Sequence, residues 1–368
     1  MKESDQNTPW YLGFEEYKKV TEPQKKQKSF AWTTAIGLQA VDGLTPSDYL
    51  LQTARRNIEG EISIQEANYI IDEYYKSTKS REEEQQHRTE EADKVSARIA
   101  EILNDGSFTF KPTTLINIHK KLFTGIYKYA GKIRDYNFTK DEWVLANDSV
   151  YYADFTEISA ALDYDFDKEK DFDYSSLSPE QMIEHFVHFI SNIWQIHAFC
   201  EGNTRTTAVF AIKYLRFLGF DVGNEPFAKD SWYFRNALVR ANYTSNKDNI
   251  KIDFSFLKLF FRNVILGEKN ELKNRYMHIY WNNQHSTQRL PREYPESAQR
   301  LSELCPEEAE KTFKAIKENP QSTIKVLALN LGVSEKTVKN HIAKLKKAGL
   351  ITRAGSDTKG HWIINGEN

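Results

Sequence analysis

The run His197-Ala198-Phe199-Cys200-Glu201-Gly202-Asn203-Thr204-Arg205 places a base, a carboxylate, a glycine and an arginine within nine residues, the parts of a site that handles phosphate. His197 has a side chain whose ordinary pKa suits it to take a proton from a hydroxyl near neutral pH. Glu201 offers hard oxygen ligands, which beside phosphates suggest Mg2+; its plainer reading is a negative charge at a helix N-terminus. Gly202 lets the backbone approach an anion, Asn203 can cap a following helix and donate to phosphate, and Arg205 can grip a phosphate bidentately. Each residue alone is a weak signal. At this spacing the constellation is far more specific than an isolated glycine motif.

Two helices must position that run. The apolar, aromatic-rich segments Met182 to Ile196 and Thr206 to Phe220 read as helices, so the polar residues form a helix–loop–helix junction. Backbone N–H groups at the start of the second helix would face an anion held there. His185 and His188, one turn apart on the first helix, lack a third metal ligand and read as packing residues.

The helical pattern continues along most of the chain. Helices are expected over 23–41, 46–58 and 63–77, broken at Asp42-Gly43 and Glu59-Gly60, then over 80–103 and from Pro112 through Phe123. Later helices are expected over about 176–196, 204–218, 230–242 and 253–283. Between Ile133 and Tyr152 the helical period lapses. Tyr136-Asn137-Phe138 and Trp143-Val144-Leu145 flank polar residues there, as a β-hairpin would.

With 368 residues, 40% of them hydrophobic and 13% aromatic, the chain can bury a large core and is expected to split into two or three domains. Fifty Lys and Arg against 52 Asp and Glu leave it near neutral, so global charge steers it toward neither nucleic acid nor membrane. Cys200 and Cys305 stand far apart, which argues against a disulfide or zinc framework and fits a reducing compartment. The polar start and the lack of a long apolar run predict no membrane span and a cytoplasmic location.

After Asn283 the composition turns polar and proline-rich, which predicts a linker over 284–305. The expected domains are an N-terminal helical module (1–79), a central helical domain (80–283), that linker, and a C-terminal domain (306–368). In the last, helices at 307–319 and 323–329, a Leu331-Gly332-Val333 turn, a helix from Ser334 to Lys347 and a hairpin over 352–364 spell a winged helix-turn-helix. Lys336, Lys339, Lys344, Lys346 and Lys347, with Lys325, Arg353 and Lys359 nearby, suit DNA phosphates. The alternative is a solvated basic face used for protein contacts, including a homodimer.

At His197 to Arg205 the sequence resembles the Fic family, whose signature reads His-x-Phe-x-Asp/Glu-Gly-Asn-Gly-Arg-x-x-Arg. Leu115 to Phe123, Tyr129 to Arg134 and Ala237 to Asn242 support the resemblance, which covers roughly residues 95–275. It implies a mainly α Fic-fold bundle with a β-hairpin flap, and AMP transfer from ATP to a Tyr, Ser or Thr hydroxyl of a protein. By the same resemblance His197 is the base, Phe199 anchors the loop and Glu201 holds Mg2+. Gly202, Asn203, Thr204 and Arg205 meet the phosphates, while Asn242, with Tyr233 to Arg235 near it, falls where the family lines its adenine pocket. The flap around 143–152 would dock an extended target segment.

Two positions depart from the signature: Thr204 replaces a glycine, and Ala208 replaces the second arginine. The latter opens the choice of nucleotide, so transfer of another nucleotide-linked group, or a transcription regulator that senses nucleotide without catalysis, stand as alternatives. The 30–77 module resembles the small antitoxin partner of some Fic proteins. Leu38 to Gly43 aligns with its inhibitory motif, making Asp42 the first inhibitory candidate and Glu59, in Arg55 to Gly60, the second; both glycines otherwise read as helix caps.

Overall fold

The computed structural model describes residues 14, 16, 17, 21–77, 84–222, 225–281, 307–331, 333–347, 351–354 and 361–364. The expected linker over 284–305, Cys305, Gly332, Gly349, Leu350 and the wing tip with Lys359 lie outside the described residues. Proline at the first turn, where its missing N–H leaves no bond unmade, opens α1 (Pro23–Gly37), α5 (Pro112–Phe123) and α7 (Pro179–Ile196). Ser178 adds a reciprocal capping box with Gln181 at the start of α7.

α1 runs on into a 3-10 turn, Leu38–Asp42, which Gly43 ends in the left-handed region. α2 (Asp48–Glu59), α3 (Ile64–Ser77) and α4 (Glu84–Asn104) follow. Beyond α5 come α6 (Ile158–Lys170), α7, α8 (Asn203–Phe217), α9 (Glu225–Lys229), α10 (Ser231–Arg240) and α11 (Ser255–Leu266). The chain divides into two units, Met1–His285 and Ser286–Asn368.

Within the first unit one continuous core runs from Trp32 and Ile36 on α1 through Phe123, Phe199 and Phe210 to Met277. The boundary expected at 79–80 therefore does not separate two cores. α1 packs along α4 and α9. A Cβ on Gly37 would lie 2.2 Å from the Ala228 carbonyl oxygen, so only glycine permits that approach. Trp32 Nε1 donates to Asn57 Oδ1 at 3.0 Å, whose amide nitrogen donates to the Ile62 carbonyl at 2.9 Å, tying α1 to the end of α2.

Three elements differ from expectation. The helix expected over 253–283 stops at Leu266, where Gly267 turns left-handed and a polar stretch follows; a 3-10 turn, Asn274–Met277, resumes. α6 was not expected, although Ile158, Leu162 and Phe166 repeat every fourth residue and are all buried. The flap hairpin is minimal: one antiparallel bridge, Glu142↔Asp148, closes a 3-10 turn, Trp143–Leu145, with Ala146 and Asn147 left-handed. Trp143, Val144 and Leu145 are all buried, and three consecutive inward side chains defeat the alternation a strand needs.

The second unit builds its own core. α12 (Glu307–Glu318), α13 (Ile324–Leu331) and α14 (Glu335–Lys347) enclose Phe313, Ile316, Leu327, Val338 and Leu345. β1 (Ile351–Ala354) pairs antiparallel with β2 (His361–Ile364). Trp362 closes that core, its indole donating to the Ser322 carbonyl at 3.0 Å. Ser334 Oγ accepts from Thr337 N at 3.1 Å, capping α14. Lys325, Lys336, Lys339, Lys344 and Lys346 are exposed, and Arg353 lies over the Trp362 ring at 4.5 Å.

Candidate active site

His197 ends α7 in the left-handed region (φ 50°, ψ 57°), a conformation uncommon outside glycine that turns its ring off the helix axis. Arg134 holds that turn. Its Nε donates to the His197 carbonyl at 2.8 Å, its Nη1 to the Tyr136 carbonyl at 2.7 Å and its Nη2 to the Ala153 carbonyl, while its own N–H donates to the Ala198 carbonyl. One guanidinium thus joins the loop to the flap.

The imidazole is buried, 4% exposed, and neither Nδ1 nor Nε2 has a hydrogen-bond partner. Its neighbours are aromatic: Tyr152 stacks on it at 3.9 Å, and Phe138 and Trp194 present edges at 5.6 and 5.4 Å. Burial, aided by the positive charges of Lys140, Arg134 and Arg235, holds its pKa well below the ordinary value. The ring is therefore neutral near neutral pH, the state a base requires. The Tyr152 hydroxyl, also buried, has no partner either.

Phe199 anchors the loop beneath His197. It is 1% exposed and stacks on His119 at 3.8 Å. His119 Nδ1 accepts from Gly131 N at 2.8 Å, which leaves Nε2 to donate to the Glu201 carbonyl at 3.0 Å and so fixes the tautomer. Burial pushes His119 down to about 4, so it too is neutral.

Gly202 has φ +76°, and a Cβ there would meet Phe123 Cε2 at 2.3 Å. Backbone conformation and packing both require glycine. Gly202 is also the cap residue of α8, so Asn203 is the helix's first residue and not its cap. The Asn203 amide is committed to the loop, accepting from Phe199 N at 3.0 Å and donating to the Phe199 carbonyl at 2.6 Å. One of its two amide N–H groups is thereby committed to the loop, which leaves the other to meet a phosphate. Thr204 likewise accepts the Trp194 indole N–H at 3.0 Å. What Asn203, Thr204 and Arg205 present are first-turn N–H groups, since Thr206 N is the first to reach a helix carbonyl, that of Gly202.

Arg205, 1% exposed, is surrounded by acceptors. Asp42 Oδ2 lies 2.7 Å from its Nε and Glu91 Oε1 2.6 Å from its Nη2. Nη1 donates to Gln39 Oε1 at 3.0 Å and Nη2 to the Tyr127 hydroxyl at 3.3 Å. The Asp42 contact is an ion pair without hydrogen-bond alignment, because Arg205 Nε and Asp42 Oδ2 both lack a directed partner. Burial opposes the charge, but Asp42, Tyr127 and Glu91 outweigh it and raise the pKa.

The inhibitory candidates separate here. Asp42 meets Arg205, whereas Glu59 accepts from the Tyr17 hydroxyl at 2.7 Å and pairs with Lys25 at 2.9 Å. Glu201 pairs with Lys140 of the flap at 2.8 Å and is about half exposed. Among the described residues no group of three or more His, Cys, Asp or Glu is placed to hold a metal. A half-exposed carboxylate paired with one lysine nevertheless fits Mg2+, which takes most of its ligands from phosphates and water.

The adenine-pocket residues fare differently. Tyr233 is buried in the core, its hydroxyl donating to the Phe256 carbonyl at 3.3 Å and its ring parallel to Phe260. Arg235, two residues on and hence on the other side of α10, faces the site. Its Nη1 lies 2.7 Å from Glu142 Oε2 in the flap. Tyr233 is therefore a packing residue, contrary to expectation. Asn242 ties α10 to α7, its amide nitrogen donating to Ser191 Oγ and the Leu238 carbonyl, each at 2.8 Å. Lys140 was missed as a site residue. Arg134 had a local signal in the Tyr129 to Arg134 segment, and Arg235 lies in the Tyr233 to Arg235 stretch expected near the adenine pocket.

His185 and His188 bond Glu169 at 2.6 Å and Glu184 at 3.1 Å, in keeping with packing roles. No helix among the described residues is long and apolar enough to cross a membrane.

Comparison with known proteins places this geometry. Residues 109–215 match the Fic/DOC family, and residues 310–352 match the winged helix-turn-helix DNA-binding family. The chain thus carries a Fic/DOC domain and a C-terminal winged helix-turn-helix. It is 25% identical over 150 residues to the protein adenylyltransferase VbhT of Bartonella schoenbuchensis, a match covering 38% of this chain. The matched segment spans 30% of that relative's length.

Proposed function

We propose that the unit carrying His197 is a protein AMP-transferase, moving AMP from ATP to a Tyr, Ser or Thr hydroxyl of a target protein or of itself and releasing pyrophosphate. The observation that carries this reading is a buried, neutral imidazole with both ring nitrogens bare, on the loop that leads into Arg205 and the first turn of α8.

In this reading His197 accepts the hydroxyl proton as the oxygen attacks the α-phosphorus. The new P–O bond forms as the bond to the β-phosphate breaks, and the electron pair leaves with pyrophosphate. Arg205 and the N–H groups of Gly202, Asn203 and Thr204 oppose the charge on the phosphates. Glu201 would hold Mg2+, which when bound neutralises phosphate charge. Asn242 retains only its carbonyl oxygen to meet an amino group on a base. Asp42, on Arg205, is the inhibitory acid: it occupies the cation that a phosphate needs.

The target docks along the flap. Residues 149–154 lie outside helices and strands and Tyr151 is 83% exposed, which suits pairing with an extended segment. The exposed lysines of α14 suit DNA as the partner of the second unit.

The test uses ATP labelled on the α- or the γ-phosphorus. Transfer of the α-label alone, abolished in His197→Ala, supports AMP transfer. Because Ala208 leaves the nucleotide open, parallel incubations with UTP and CDP-choline, read by mass spectrometry, separate AMP from other groups. Absence of any modification by the wild-type chain and by Asp42→Ala would leave nucleotide sensing as the better reading.

A further inference from the structure

The other cations of α8, Lys213 and Arg216, are spent on the Ile102 and Leu103 carbonyls at the end of α4. Ala208, nearly one turn on, is fully buried. The neighbouring cationic arm comes instead from α10, which packs against the Leu38–Asp42 turn and against the flap turn Trp143–Leu145. Arg235 projects from that helix with its side chain 16% exposed, its guanidinium over the Trp232 ring at 4.9 Å, and meets Glu142, whose side chain is 1% exposed. Glu142 Oε2 and Arg235 Nη1 are 2.7 Å apart, and Arg235 Nη2 donates to Glu142 Oε1 at 3.2 Å, so both carboxylate oxygens face the guanidinium.

The charges around His197 are matched internally. Lys140, Arg205 and Arg235 face Glu201, Asp42, Glu91 and Glu142, while a fourth cation, Arg134, is held by backbone carbonyls. A polyphosphate entering this cluster must take cations from carboxylates that already hold them. The charge of Arg235 acts on His197 and is itself stabilised by Asp42, so the arginine stands within the cluster and not beside it.

We propose that Arg235 is a second phosphate-binding arm of this site, which exchanges Glu142 for the nucleotide's terminal phosphates and thereby links nucleotide occupancy to the flap. The proposal rests on the nucleotide-transfer reading above. It assigns to α10 the charge that α8 lacks at Ala208, and it makes Glu142, at the base of the flap, the group released when a triphosphate arrives. A buried carboxylate left without its arginine is costly, so the flap must shift to let Glu142 find water or another donor.

The test is calorimetric titration of the full Asp42→Ala chain with ATP, ADP and AMP in Mg2+, with and without Arg235→Ala. Without the arginine's charge-assisted hydrogen bonds, ATP should bind about 10- to 100-fold more weakly while AMP changes by less than about threefold. Arg235→Lys should recover part of that affinity. Glu142→Gln keeps the side chain's shape but frees the arginine, and should tighten ATP more than AMP. That variant decides the matter should Arg235→Ala fail to fold. Equal effects of Arg235→Ala on ATP and AMP, or no gain for ATP from Glu142→Gln, overturn the proposal and leave the transfer reading intact. Failure of the Asp42→Ala chain to bind ATP, with no binding of UTP or CDP-choline, removes that reading and the proposal with it.

Discussion

Asp42→Ala should activate the site, and Glu59→Ala should not. Arg205 reaches Asp42, Glu91, Gln39 and Tyr127, and the alanine variant removes one of these while three remain. The guanidinium should stay in place, and its orientation over the Phe123 ring at 4.8 Å should survive. The gain is in competition: an incoming phosphate no longer has to displace a charged partner worth about 1.5–3 kcal/mol. Asp42 is 31% exposed and its approach to Arg205 is poorly aligned, so the low end applies. About 1.5 kcal/mol corresponds to roughly tenfold in nucleotide affinity. Auto-modification with α-labelled ATP below saturation should rise by a similar factor. Glu59 binds Tyr17 and Lys25, not Arg205, and its removal should leave the rate within about twofold, since its ion pair lies at the surface, away from the site. An Asp42→Ala rate within that margin of wild type, or an equal rise in Glu59→Ala, would refute the reasoning. A melting curve distinguishes activation from partial unfolding.

Gly202→Ala forces a side chain into left-handed backbone and against Phe123, and should cost about 2–4 kcal/mol in denaturant unfolding while abolishing transfer. The acidic limb of kcat/KM should fall below pH 6.5, because burial lowers the His197 pKa; a limb above that value contradicts a buried base. Folded His119 titrates at about 4, so it resists protons that the unfolded chain binds from about pH 6.5 downward. Its contribution to stability is intact above that window and declines as pH falls through it, by about 3 kcal/mol; His119→Gln should flatten the decline in unfolding free energy. In the second unit, Lys336→Glu and Lys339→Glu should weaken duplex DNA binding across sequences and reduce the slope of log affinity against log salt by about one for each phosphate that a lysine no longer neutralises. An unchanged slope would assign that face to protein contacts.

The loop was legible because its chemistry is local: base, acid, glycine and arginine fall within nine residues, between helices of clear period. The winged helix was legible for a similar reason, its turn and cap residues being short-range signals. What sequence did not disclose depends on direction across long separations. Tyr233 and Arg235 lie two residues apart, and composition cannot say which faces the site; packing of Tyr233 beside Phe260 settles it. Asn203 looked free to cap or to bind, but its amide closes the loop onto Phe199. The flap's Trp143-Val144-Leu145 suggested a strand by residue type, while burial of all three requires a turn.

The carboxylates that hold the site's cations come from four separate places: the end of the first 3-10 turn, α4, the flap and the loop itself. No short motif could encode that arrangement, because only folding brings Asp42 and Glu91 to Arg205 or Glu142 to Arg235. Its consequence is coupling. A ligand that draws Arg205 from Asp42 acts on the N-terminal turn, and one that draws Lys140 or Arg235 from its partner acts on the flap that stacks Tyr152 over the base. Because Asp42 acts on Arg235 as well as on Arg205, effects of substituting members of these pairs will not add as independent sites would. On the proposed reading, inhibition would be a property of the charge cluster as a whole, with Asp42 its most directly removable member.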